Sequence, residues 1–241
     1  MASVVLLQTR GLTRHFGGMK AVDAIDFALL KGTVHALIGP NGAGKTTFVS
    51  LLCGRISAQS GSITFDGRDI TRMPAHARVA LGIAYTFQIT SIYAGLSAFD
   101  NVALAVQRRG TGNLHQDTTA ALAQVGLENQ AYQTAGTLSY GHQRLLEICM
   151  GLALRPKLLI LDEPTQGLAE AEIERFKTLI QSLSKTTTVL LIEHNMDVVM
   201  SLADRITVLN FGTVLAEGTP AQIQNNGAVQ AAYLGTDYAA D

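Results

Sequence analysis

The sequence holds only two cysteines, Cys53 and Cys149, among its 241 residues. Both sit in apolar stretches, with no CxxC or Cys/His spacing around them. That excludes a zinc ribbon and a disulfide scaffold and points to a reducing compartment. Charged residues are scarce at 15%, and 18 basic side chains face 19 acidic ones for a net charge of −1. Without a basic excess, phosphate neutralisation cannot drive binding to nucleic acid, so no nucleic-acid partner is expected. No apolar run approaches the ~20 residues that cross a bilayer. The longest pieces, such as Leu158–Leu161 and Val189–Ile192, have the length of buried strands. The first residues lack the basic-then-apolar order of a secretory signal, so a cytosolic chain is expected. Repeats, low-complexity tracts, heptads and long charge runs are missing too. Apolar residues are plentiful at 47%, which excludes a disordered chain. At roughly 150 residues per domain, the length suits one large α/β unit carrying a small second lobe. Such a unit buries a sizeable core without staples.

Hydrophobic spacing divides the chain into thirds. In the first, Ile25, Phe27 and Leu29 alternate with smaller or polar neighbours, as on a half-buried strand. Val34–Ile38 is a short apolar run ending in glycine, and Ile63 and Phe65 precede an Asp66-Gly67 turn. From about Ile89 to Arg155 the spacing becomes helical. Leu145, Cys149 and Leu152 follow a capping Ser139, and Pro156 ends the segment. The last third alternates. Strands at Leu158–Leu161, Val189–Ile192, Ile206–Leu209 and Val214–Leu215 are separated by helix faces at Ile173, Phe176, Ile180, Leu183 and at Val198, Val199, Leu202. This order predicts a largely parallel sheet covered on both faces and interrupted by a helical insertion. Thr219-Pro220 reads as the cap and first residue of a further helix.

Two motifs carry chemistry. Gly39-Pro40-Asn41-Gly42-Ala43-Gly44-Lys45-Thr46 matches GxxxxGK[ST] between a predicted strand and an apolar helix (Phe48, Val49, Leu51, Leu52). Glycines allow backbone N–H groups to close around phosphate oxygens, and the helix N-terminus adds a favourable field. Lys45 would reach the terminal phosphates, the Thr46 hydroxyl would ligate Mg²⁺, and Thr47 extends the binding turn. The second motif is the strand Leu158–Leu161 ending in Asp162-Glu163. Ligands of open parallel sheets gather at the carboxyl ends of strands, so Asp162 faces the same crevice and suits Mg²⁺ through water. Glu163 is placed to orient or deprotonate an attacking water. Together the motifs predict hydrolysis of a terminal phosphate, with Mg²⁺ and Lys45 spreading the developing charge.

Further segments resemble ABC-transporter ATPases in order and spacing from about residue 5 to 235. Leu138-Ser139-Tyr140-Gly141-His142-Gln143, just before a helix, looks like the LSGGQ signature. Thr86-Phe87-Gln88 resembles the Q-loop, Ile192-Glu193-His194 the switch-histidine motif, and Phe16 the aromatic residue against adenine. The resemblance implies a P-loop NTPase fold. Its RecA-like parallel-sheet core carries an antiparallel β subdomain and an inserted α-helical subdomain. The core with its β subdomain would span 1–88 and 156–215, the helical signature subdomain 89–155, and a tail 216–241. It also implies head-to-tail pairing, in which Leu138, Ser139, Tyr140, Gly141 and His142 close over ATP held by the partner. Gln88 would touch Mg²⁺ and the water, and His194 the γ-phosphate and the water. Alone, such a Gln or His would be an ordinary polar loop residue; the combination carries the assignment.

Tyr140 and His142 stand where the signature has glycine and glutamine. Ala169, in Gly167-Leu168-Ala169-Glu170, stands where the family has an aspartate. The first change keeps the backbone donors. The second removes a cross-subunit contact, which Glu170 or an intact partner loop in a heterodimer would replace.

Within the family, Arg14-His15-Phe16-Gly17-Gly18, Tyr85-Thr86-Phe87-Gln88, Leu191 to Met196, Ala216 to Pro220 and Tyr233-Leu234-Gly235 resemble ATPases of hydrophobic (branched-chain) amino acid importers. That implies permease subunits, a second ATP-binding subunit and, indirectly, a periplasmic solute-binding protein. The site of action would be the cytoplasmic face of the cell membrane. Importers of urea and short amides, a lipopolysaccharide exporter and a nucleotide-gated subunit without turnover are the alternatives. Ile89, Ile92, Tyr93 and Phe99 either receive the permease or build the helical lobe's core.

Overall fold

The computed structural model describes residues 4–86, 91–110 and 112–237, the last four by backbone only. Strands β1 (Val5–Phe16) and β2 (Met19–Leu30) pair antiparallel, and β1 also pairs with β4 (Ser60–Phe65), which carries the two-residue β5 (Arg68–Asp69). The resulting sheet has the order β2-β1-β4-β5. A second, six-stranded sheet is built from β3 (Val34–Ile38), β6 (Ile83–Thr86), β7 (Leu158–Asp162), β8 (Thr188–Ile192), β9 (Arg205–Asn210) and β10 (Thr213–Gly218). Its order is β10-β9-β3-β8-β7-β6, parallel throughout except for the β9–β10 hairpin.

The apolar runs of β7 and β8 have a simple cause. Both strands are buried along their whole length. Leu159, Leu161, Val189 and Leu191 enter one core, whereas Leu158, Ile160, Leu190 and Ile192 enter the other. A parallel strand covered on both faces needs such an uninterrupted run. The antiparallel sheet and α1 (Lys45–Leu52) lie on one side; the cluster around Leu6, Leu7, Phe27 and Phe48 joins them to the main sheet. On the other side Phe176, Ile180 and Leu183 of α6 (Glu170–Leu183) pack on it, with Val198 and Leu202 of α7 (Met196–Leu202).

Between β6 and its neighbour β7 the chain leaves the sheet for a helical lobe of α3 (Ala98–Arg108), α4 (Leu114–Gln124) and α5 (Tyr140–Ala153). Each helix is capped by a side-chain oxygen: Ser97 accepts from Asp100 N, Asn113 from Gln116 N, and Ser139 from His142 N. The signature-like segment therefore does not wholly precede its helix, because Tyr140 to Gln143 form the first turn. Beyond β10, which runs past residue 215, Thr219 caps α8 (Pro220–Gln224) with Pro220 as its first residue, and α9 (Gly227–Asp237) follows. Among the described residues no helix is long and apolar enough to cross a membrane.

Inside β3, His35 is fully enclosed. Its ring meets Phe27 at 4.9 Å, and its Nε2 lies 2.8 Å from Thr207 Oγ1. Burial, with repulsion from Arg205, lowers its pKa to about 4. The folded chain keeps this ring neutral, whereas the unfolded chain protonates it near pH 6.5. The stabilisation is thus complete above ~6.5 and is lost as pH falls towards 4, where the unfolded state takes up a proton that the folded state refuses. The whole shift corresponds to ~3 kcal/mol. Urea midpoints should fall between neutral pH and the low end of that window, and His35→Gln should remove this share of the slope. An equal slope in the variant would assign it elsewhere.

Candidate functional site

The end of β3 is built around glycine. Gly39 (φ 152°) has no room for a side chain, since a Cβ there would lie 2.2 Å from Leu209 O. Gly44 (φ 101°) is equally constrained, with Ala21 O at 2.1 Å from such an atom. Only glycine fits either position. Beside Gly42 (φ 77°) no described atom would come within 4 Å of an added Cβ, so this side of the loop is open. Ala43 N donates to Pro40 O at 3.1 Å, and Gly212 N to Ala43 O at 3.0 Å, which fixes the loop against the β9–β10 turn. Lys45 is buried; its Nζ donates to Gly39 O at 2.6 Å and Pro40 O at 3.1 Å. Burial lowers its pKa, opposed by the charges of Glu163 and Asp162. A poorly solvated ammonium held by two carbonyls is ready to exchange them for phosphate oxygens. Thr46 is exposed and Thr47 half-buried on the first turn of α1.

Parallel register brings the other strand ends alongside. Leu37 pairs with Ile192, and Ile192 with Asp162. Asp162 is buried and accepts a 2.8 Å hydrogen bond from Tyr85 Oη. Burial raises its pKa, and Glu163 pushes the same way, while the Tyr85 hydrogen bond, Arg144 and Lys45 pull it down. Glu163 has a left-handed backbone (φ 47°), a conformation costing a non-glycine residue ~1–2 kcal/mol. Its N–H donates to Ile192 O at 2.8 Å. Its Oε1 lies 2.9 Å from His194 Nε2. Two residues assigned from separate motifs thus meet. One buried carboxylate, whose charge reaches Lys45, is too few protein ligands for zinc, and no cluster of three His, Cys, Asp or Glu occurs among the described residues. It fits Mg²⁺, which keeps waters and takes phosphate oxygens.

Phe16 ends β1 about half-exposed, with the Arg14 guanidinium 4.8 Å over its ring. In the signature-like segment Leu138 is buried and Tyr140 exposed. A Cβ on Gly141 would sit 2.0 Å from Glu172 Oε1, so the Glu172 carboxylate lies directly against this glycine at the start of α5. Ala169 is exposed, and its N–H donates to Glu172 Oε2 at 2.9 Å. Gln88, Phe87 and Ile89 lie outside the described residues.

Three contributors escaped the sequence reading. Glu193 is buried and accepts from Thr165 N (2.9 Å), Thr165 Oγ1 (2.7 Å), His194 N (3.1 Å) and Asn195 N (3.3 Å). It shapes the turn that presents His194 and ties it to the loop after Glu163. Its signal was available: an acid ending a buried strand must find donors. Tyr85 and Arg144 gave no comparable local signal.

A cleft of about 510 Å³ opens beside β6, between α2 (Ala75–Ala80), α3 and α5. Tyr85, Ile92, Tyr93, Leu104, Glu147 and Leu154 are among its walls. Of the four residues proposed to receive a permease, Ile92 and Tyr93 line it. Ile92 also packs on the lobe's core, as does Phe99, which does not line the cleft and stacks with Tyr132 at 5.6 Å.

Residues 22–166 match the ABC transporter family, and residues 213–239 match the branched-chain amino acid ATP-binding cassette transporter family. The high-affinity branched-chain amino acid transport ATP-binding protein BraF of Pseudomonas aeruginosa is 39% identical, over 95% of this chain and 98% of its own. The corresponding LivG protein of Escherichia coli is 36% identical over the same shares. The ADP conformation of an ATP-binding cassette of an ABC transporter superposes with a TM-score of 0.86 at 27% identity, covering 97% of this chain and 100% of that one.

Proposed function

This chain belongs to the ABC transporter ATP-binding family, and from that premise we propose that it hydrolyses ATP to drive import of branched-chain or other hydrophobic amino acids. The observation that carries the reading is the contact between Glu163 and His194 at the strand ends that flank Lys45. The open loop at Gly42 receives the phosphates, and Lys45 turns from its two carbonyls to their oxygens. Phe16 offers its ring to adenine. Thr46 and Asp162 would hold Mg²⁺, with Gln88 as a further ligand, and the bound ion would neutralise charge on the phosphate oxygens. Glu163 takes the proton of the attacking water, and His194 holds Glu163 and the γ-phosphate in line. The same contact argues against a subunit that binds nucleotide without turnover.

We read the helical lobe of α3, α4 and α5 as the signature lobe, with Leu138 to His142 acting on ATP bound to a second cassette. Cassettes of this family dimerise and work with permease subunits. Here the permease would fill the cleft lined by Ile92 and Tyr93, holding the chain at the cytoplasmic face of the membrane. Solute would reach the permease through a periplasmic binding protein. Cells lacking this gene should lose uptake of labelled leucine and regain it with the native chain but not with Lys45→Ala. Full uptake without the gene would refute the assignment.

Ser139→Arg puts a long cation where the helix terminus must meet the partner's phosphate. Monomer affinity for ATP should stay within about threefold, while the ATP-dependent dimer, read by light scattering on a Glu163→Gln background, disappears. Loss of monomer binding would instead mean that the signature acts within its own chain.

A further inference from the structure

Arg144 lies on the signature helix, yet its side chain is 2% exposed and points into the ATPase core. Its guanidinium captures three consecutive carbonyls. Nη2 donates to Asp162 O at 2.6 Å and to Glu163 O at 3.1 Å, and Nε to Pro164 O at 3.4 Å. Nη1 donates to Glu147 Oε2 at 2.7 Å, one helical turn on. The other oxygen of Glu147 accepts from Ser91 N at 3.4 Å, and Glu147 and Ser91 both line the cleft beside β6. One buried ion pair thus spans signature helix, acidic strand end and cleft.

We propose that Arg144 is a positioning residue for Glu163, locked by Glu147. The inference rests on the reading of Glu163 as the base. Glu163 sits in a left-handed backbone that a non-glycine residue keeps only where its surroundings over-determine it. The determinants include the Ile192 carbonyl, which accepts from the Glu163 N–H, and at the Glu163 carbonyl the Arg144 fork together with the Gln166 N–H at 3.2 Å. Only a planar fork satisfies three carbonyls and a carboxylate at once; a lysine would reach one or two. Because Glu147 also lines the cleft, a partner seated there presses on the residue that locks Arg144. The base is thereby joined to the docking surface through two side chains.

The test uses the purified full-length chain, with melting temperature, nucleotide affinity, turnover and ATP-induced dimerisation measured together. Arg144→Gln should lower kcat about 30- to 100-fold, as a base displaced by a fraction of an ångström would, with KM and ATP affinity within about threefold. At saturating ATP it should accumulate the closed dimer, as Glu163→Gln does. Arg144→Lys keeps the charge facing Glu147 and should recover part of the rate. Combining Arg144→Gln with Glu163→Gln should add almost nothing to the loss of the latter alone. Native turnover in a folded variant, a parallel fall of kcat and affinity, a dimer that no longer forms, or multiplicative losses in the double variant would each overturn the proposal. Should Arg144→Gln not fold, Arg144→Lys decides by the same criteria. Native turnover in Glu163→Gln itself would defeat the base assignment, a failure separate from that of Arg144.

Discussion

Lys45→Ala should leave a folded chain that scarcely binds ATP and does not turn it over. The amine is buried inside its own loop, held by two of the loop's carbonyls, and burial has already removed much of its water. Binding therefore costs little further desolvation and replaces two neutral acceptors with charged ones. Losing a charge-assisted contact of this kind costs about 3 kcal/mol, or ~10²-fold in affinity. Because the charge on the phosphate grows in the transition state, turnover should fall by at least another ~10²-fold. The fold should survive. The variant gives up the two lysine bonds to Gly39 O and Pro40 O but keeps Ala43 N–Pro40 O, Gly212 N–Ala43 O and three glycine conformations, which do not involve the lysine side chain. Calorimetric titration with ATP and a melting curve check both halves. Unchanged affinity would overturn the loop assignment.

Glu163→Gln should separate binding from chemistry. The amide has the shape of the carboxylate and can still bond His194, so the strand end keeps its geometry. The amide cannot accept the water's proton, and removing a positioned base typically costs 10²–10⁴-fold, so turnover should fall by ~10³. Nucleotide affinity should hold, because Lys45 and the loop donors are untouched. ATP that is bound and not cleaved should trap a dimer, visible by light scattering and absent with ADP. Hydrolysis at the native rate would remove Glu163 from its role.

These predictions differ in what made them possible. The phosphate loop was legible because its information is local: successive glycines specify torsions that other residues cannot adopt, and the flanking strand and helix follow from spacing alone. The acidic strand end was legible for the same reason. The cleft was half legible: Ile92, Tyr93 and Phe99 have similar chemistry, and composition cannot say that Phe99 turns to Tyr132 and the lobe's core. Tyr85 offered no signal, since nothing in its neighbours says that its hydroxyl reaches Asp162, 77 residues away.

The amino-acid order by itself determined the strand and helix periods, the glycine loop, the caps at Ser139 and Thr219, and which side chains are proposed to carry the chemistry. Backbone torsion and side-chain type act over a few residues and need no partner to be read. Only the tertiary structure decided that Glu163 meets His194, that Glu193 braces Thr165, and that Arg144 clasps the strand end from another helix. Those contacts join residues 18 to 31 positions apart or bridge separate elements. Their energies depend on distances that exist only once parallel register and packing have brought the strand ends together.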